Sequence, residues 1–146
     1  MREPFRTGRP AETENGHRGA YSPLMPYSVN ELLENFIGLY ARDTLPRWRG
    51  LFMPGFTAAA TNEDGAVTTW TLDEFYERQR QLFASGNPVS EVLQNTETHR
   101  NGDLACVRSD YVWTDGEAKR PGRLMMLIIA ERGELKIQSL TFSYRG

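Results

Sequence analysis

Arg108-Ser109-Asp110 is the stretch with the clearest potential for chemistry. A guanidinium and a carboxylate two residues apart on a strand project from one face, because successive side chains of a β-strand alternate. Together they could clamp the polar end of a ligand, or hold a water between cation and base. Asn95 is the expected neighbour of the pair across the strand ladder, and Tyr40 supplies a hydroxyl that needs a partner once buried. His99 stands at a strand end beside a turn, where a structural or solvent-facing role outweighs that of a general base. The catalytic candidates are therefore Asp110, Arg108 and His99. Cys106 has no base within reach in sequence and reads as inert packing.

Composition narrows the chemistry further. One cysteine rules out an intramolecular disulfide, and that cysteine with the two histidines, His17 and His99, shows no metal-ligand spacing. No metal site or cofactor motif is expected. The net charge is -2, and no block of like charge stands out, which argues against nucleic acid or an anionic membrane as partner. The longest apolar run, Leu124 to Ala130, is far too short to span a bilayer. Arg2, Arg6 and Arg9 have no apolar segment behind them, so no secretory signal is read and a cytoplasmic location is expected.

The elements that must position these residues follow from punctuation and period. Residues 1–27 hold four prolines and scattered charge without period, and are expected to form a flexible arm ahead of one domain over 28–146. Ser28-Val29-Asn30-Glu31 is a capping box, followed by Val29, Leu32, Leu33, Phe36, Ile37 and Tyr40 at helical spacing. Pro46 suits the first turn of a short second helix carrying Trp48, Leu51 and Phe52, which Pro54-Gly55 would stop. A hairpin of 56–61 and 66–70 precedes a second capping box, Thr71-Leu72-Asp73-Glu74, and a third helix ending at Gly86. Four strands then follow, near 89–99, 104–114, 123–131 and 134–144.

The order ααββαββββ cannot make a doubly wound parallel sheet, which needs a crossover helix between successive strands. It predicts an α+β fold: a cone-shaped, curved, mainly antiparallel sheet with three helices on its concave face. The hollow between helices and sheet is where a small-molecule site would lie.

In this order and spacing the chain resembles the nuclear transport factor 2-like superfamily, and within it the SnoaL-like group. The resemblance covers about 28–146. It rests on Tyr40-Ala41-Arg42-Asp43 at the end of the first helix, the turn into Leu51-Phe52, Thr71-Leu72-Asp73-Glu74-Phe75 after the second strand, and the closing strand from Gly133 to Ser143. It implies a conical α+β barrel with a pocket at its open end, and usually a homodimer. It does not decide activity, since isomerases, hydrolases, dehydratases, cyclases and non-catalytic members share the fold.

Two catalytic patterns of that superfamily can be laid on the chain. The ketosteroid isomerase pattern puts its tyrosine donor at Phe36, its carboxylate base near Ala60, and its carboxylic acid among Leu124, Met125 and Met126; all three roles are lost. The limonene epoxide hydrolase pattern matches Arg108-Ser109-Asp110. Its second carboxylate would fall near Thr141 or Phe142, and its water-orienting residues within Ala58-Ala59-Ala60, where neither chemistry exists.

Asn101-Gly102 is expected to form a tight type I′ turn, setting His99 opposite Leu104, Glu97 opposite Cys106, Asn95 opposite Arg108 and Leu93 opposite Asp110. One face then collects Glu91, Asn95, Glu97, His99, Arg108 and Asp110, and the other Val92, Gln94, Thr96, Ala105, Val107, Ser109, Tyr111 and Trp113. A slip of one residue would exchange every assignment. The first face either lines the hollow, as a polar clamp, or is solvated and carries a surface ion pair. The first alternative gives a pocket of Phe36, Tyr40, Trp48, Phe52, Asn95, Arg108, Asp110 and Met126. The expected function is binding of a small, largely apolar molecule. An isomerase, cyclase, dehydratase or epoxide hydrolase using Arg108 and Asp110, or a non-catalytic dimerising scaffold, are the alternatives. A homodimer through the sheet is expected, with Tyr111, Val112 and Trp113 as its apolar area.

Overall fold

The computed structural model describes residues 28–144. The expected arm, 1–27, lies outside the described residues. Ser28 caps helix α1 (Val29–Gly38): its side chain accepts from the Glu31 amide, and the Glu31 carboxylate accepts from the Ser28 amide. The helix buries Val29, Leu32, Leu33 and Phe36. It ends at Gly38, so Tyr40 sits in the turn beyond it rather than on the helical face. After a 3₁₀ turn at Arg42–Thr44 comes helix α2 (Leu45–Arg49), with Pro46 in its first turn.

Strand β1 (Phe52–Thr61) begins earlier than its sequence suggests. Phe52 opens the strand instead of closing the helix, and Pro54-Gly55 lies inside it. The ladder explains how proline is tolerated there. Pairing with β6 runs from Phe52 opposite Ile137 to Thr57 opposite Ser139, leaving the intervening β1 residues in a wide irregularity where no regular donor is required. Strand β2 (Val67–Thr71) leads directly into helix α3 (Leu72–Ala84). The Thr71–Glu74 capping box forms as expected, and Gly86 takes a φ of 89° past the helix end.

Strands β3 (Val89–Asn101), β4 (Leu104–Asp115), β5 (Ala118–Glu131) and β6 (Glu134–Tyr144) form an antiparallel meander. The six-stranded sheet has the order β2-β1-β6-β5-β4-β3, with β1 and β6 its one parallel pair. This is the expected α+β order, a curved and mostly antiparallel sheet with its helices packed on one face. Strand β5 begins five residues earlier than expected. Its first stretch pairs only with β4, since the β6 ladder starts at Gly122 opposite Tyr144. Pro121, which has no amide hydrogen, therefore fits where one side is unpaired.

The hairpin register differs from the expectation in two ways. Asn101 pairs with Leu104, so Gly102-Asp103 make the turn, and of the two only Gly102 has a positive φ (63°). The double positive φ of a type I′ turn is found instead at Arg132 (55°) and Gly133 (82°). The second difference is a bulge. Glu97 faces Arg108, but Gln94 faces Asp110, so Asn95 and Thr96 share the space of one partner residue, Ser109. Asn95 takes a φ of 55° there, a left-handed conformation that asparagine accepts more readily than most residues. Ser109 is buried, and its hydroxyl lies 2.8 Å from the Thr96 hydroxyl and 3.0 Å from the Gln94 carbonyl oxygen. It fills the gap in the ladder.

Candidate functional site

A cavity of about 540 Å³ lies between the helices and the inner face of the sheet, with residues from all six strands and all three α-helices in its wall. Its apolar wall is aromatic: Phe36, Trp48, Trp70, Phe75, Tyr111, Trp113, Phe142 and Tyr144 all line it. These rings brace one another. Trp48 packs against Phe52 at 4.7 Å and Tyr40 at 5.1 Å between centroids, while Trp70 stacks on Phe142 at 6.1 Å. The Trp48 indole N–H donates to the Phe36 carbonyl at 3.0 Å, fixing α2 to the end of α1. Gly122 is required beneath Tyr111: a Cβ there would overlap both the Tyr111 ring and the Ser143 carbonyl oxygen.

Polar groups share the wall with these rings. The Trp113 indole N–H donates to the Tyr40 hydroxyl at 3.2 Å, and that hydroxyl donates to Gln79 Oε1 at 2.5 Å. Tyr40 thus has the partner its burial demands, and burial pushes its phenol well above the usual range. Gln79 is buried on α3, and among the described residues its amide nitrogen has no hydrogen-bond partner. At the exposed rim, Arg78 lies over the Trp70 ring at 5.4 Å and Arg120 over the Tyr144 ring at 4.0 Å. Arg120 also pairs with Glu63 at 3.8 Å. Asp115 accepts from the Asn87 amide nitrogen at 3.3 Å.

Glu91 is the remaining charged group of the wall. It stands opposite Trp113 on the inner face, and no hydrogen bond or ion pair satisfies its carboxylate among the described residues. Burial pushes its carboxyl up to about 7. Its charge is felt by Tyr40, Tyr111 and Tyr144, whose phenols it helps to raise.

The residues expected to form the site divide sharply. Phe36, Tyr40 and Trp48 line the cavity. Phe52 and Met126 are buried in the core beside it without lining it. Arg108, Asp110, Asn95 and His99 do not line it. Arg108 is exposed and pairs with exposed Glu97 at 2.5 Å, Asn95 donates to Asp110 at 2.9 Å across the outer end of the bulge, and His99 is exposed on β3. The inner face of β4 is Ala105, Val107, Ser109, Tyr111 and Trp113, and alternation then forces Arg108 and Asp110 outward. The bulge shifts the parity of β3 beyond it. Glu91 therefore parts from Arg108 and Asp110 and turns inward, while Val92 and Gln94 turn out. The sequence carried one signal for this, an asparagine in mid-strand, a residue type prone to left-handed φ.

Among the described residues, no group of three His, Cys, Asp or Glu could hold a metal ion, and no helix is long and apolar enough to cross a membrane.

No protein-family model and no curated protein matches the sequence. Solved structures do match. A nuclear transport factor 2-like protein of unknown function from Silicibacter pomeroyi superposes with a TM-score of 0.62 at 14% identity, over 80% of this chain and 92% of that one. The fold is nuclear transport factor 2-like. A second such protein of unknown function, from Pseudomonas putida, gives 0.64 at 13% identity over 79% and 82% of the two chains. The beta subunit of a proposed aromatic-ring-hydroxylating dioxygenase from Novosphingobium aromaticivorans gives 0.65 at 13% identity over 81% and 87%. At these identities the nuclear transport factor 2-like likeness is one of architecture, and the chemistry rests on the cavity's own residues.

Proposed function

We propose that this nuclear transport factor 2-like protein, of the SnoaL-like kind, binds a small, ring-bearing, largely apolar molecule. The observation that carries this reading is the cavity of about 540 Å³ whose wall is built largely of aromatic rings. Ligand pockets run to roughly 300–1,000 Å³ and pair apolar walls with a few fixed polar atoms, as Tyr40, Gln79 and Glu91 supply here. An open cavity argues against a scaffold whose hollow its own side chains fill. The outward direction of Arg108 and Asp110 argues against an epoxide-hydrolase-type reaction through that pair.

All three tryptophans of the chain line the cavity, so intrinsic fluorescence reports its occupancy. Titration with indole or 1-naphthol should quench the tryptophan emission saturably and raise the melting temperature. Ala60→Phe, which fills the cavity from β1, should abolish both responses. A linear, unsaturated response identical in the variant would overturn the binding reading.

A homodimer is part of the proposal. The outer sheet face exposes Leu104 (58%), Met125 (53%) and Leu127 (48%) on adjoining strands. Contiguous exposed apolar area of this kind marks an interface. The area differs from the expected one, because Tyr111 and Trp113 face the cavity and only Val112 points outward.

A further inference from the structure

We propose that the cavity selects a cationic ligand, an aliphatic or quaternary amine on a compact apolar or aromatic body, with Glu91 as its counter-ion and Trp113 and Tyr111 as the rings nearest the nitrogen. The inference rests on the binding reading and adds the charge of the ligand to it.

Three observations support it. The half-buried Glu91 carboxylate lines the cavity with no partner among the described residues, although a carboxylate withdrawn from water without a partner is costly to a fold. The other charges of the wall are already engaged: Arg120 with Tyr144 and Glu63, Arg78 with Trp70, and Asp115 with Asn87. Finally, the groups around the carboxylate are aromatic. Its charge acts on Tyr40, Tyr111 and Tyr144, and its strand neighbour is Trp113. Ring faces attract cations, more strongly where water is excluded. A carboxylate among aromatic side chains, with no cation of the protein paired to it among the described residues, is complementary to a positively charged organic group.

The shift of Glu91 agrees with this. Burial raises its carboxyl to about 7, and no cation opposes the rise. A bound cation would favour the ionised form, so binding should release a proton near neutral pH. The titratable and charged groups that share the cavity wall with Glu91 are Tyr40, Tyr111, Tyr144, Asp115, Arg78 and Arg120. The phenols are held neutral by burial, leaving Glu91 as the group whose burial-raised titration falls near neutral pH.

The test compares three probes on the full chain by tryptophan fluorescence and calorimetry: phenyltrimethylammonium, its uncharged isostere tert-butylbenzene, and benzoate. Phenyltrimethylammonium should bind at least about tenfold more tightly than tert-butylbenzene, with benzoate weakest. Its affinity should fall from about pH 8 to about pH 5 while that of the hydrocarbon stays level. Glu91→Gln should erase the preference of the cation over tert-butylbenzene, and a cooperative thermal melt of the variant shows it to be folded. Equal binding of cation and isostere would overturn the inference and leave the pocket reading standing. So would tightest binding by benzoate, which would assign recognition to Arg78 and Arg120. Failure of all three probes to bind would overturn both.

Discussion

Glu91 has an ordinary carboxyl value of 4.5 and a native value near 7, with burial as the cause. Below about pH 4.5 native and unfolded chains both hold the proton, and the group costs nothing. Between that pH and about 7 the native state binds more protons, so stability falls as pH rises. Above about pH 7 the cost is complete, on the order of 3 kcal/mol from the size of the shift. Glu91→Gln removes the charge and keeps the shape. Its stability advantage in urea melts should be near zero at about pH 4 and grow to the order of 3 kcal/mol by about pH 8. A gap independent of pH would mean the carboxylate is solvated, and one that reverses sign, favouring the wild type as pH rises, would mean it is paired.

The bulge in β3 is the element that puts Glu91 in the cavity, and Ser109 holds the bulge. Its hydroxyl is buried among the Gln94 and Asp110 carbonyl oxygens and the Thr96 hydroxyl. The hydroxyl carries one proton, so Ser109→Ala removes the donor of one of these part-buried acceptors, which costs about 1–3 kcal/mol. Denaturation midpoints should fall accordingly. Amide exchange should quicken at Gln94 through Glu97 before it does so elsewhere in β3. An unchanged midpoint with unchanged exchange would show that the ladder closes without the hydroxyl.

At the scale of the whole molecule, one face of the sheet is covered by helices and the other leaves Leu104, Met125 and Leu127 open. A closed two-fold dimer is the commonest way to cover such a face. Light scattering should report twice the chain mass of 16.7 kDa. Leu127→Arg should shift it to a single chain mass without altering probe binding in the cavity. A wild-type protein that scatters as one chain at high micromolar concentration would refute the dimer.

The sequence by itself determined the order of elements, both capping boxes, the helix faces and the α+β class. All of these depend on interactions within a few residues or on simple alternation. It also placed Phe36 and Trp48 on the inner side, because helix period and aromatic size suffice for that, and Tyr40 there too, although it sits in the turn after the helix. It did not determine which face of β4 carries the site. Arg108 and Asp110 looked like the chemistry because they are polar and evenly spaced, yet alternation fixes only that they share a face. The direction of that face depends on where Ala105, Val107, Tyr111 and Trp113 find helices to pack against. Glu91 was further out of reach. Its inward turn depends on a one-residue bulge stabilised by a serine on the neighbouring strand, a contact between positions distant in the chain that only the folded sheet brings together.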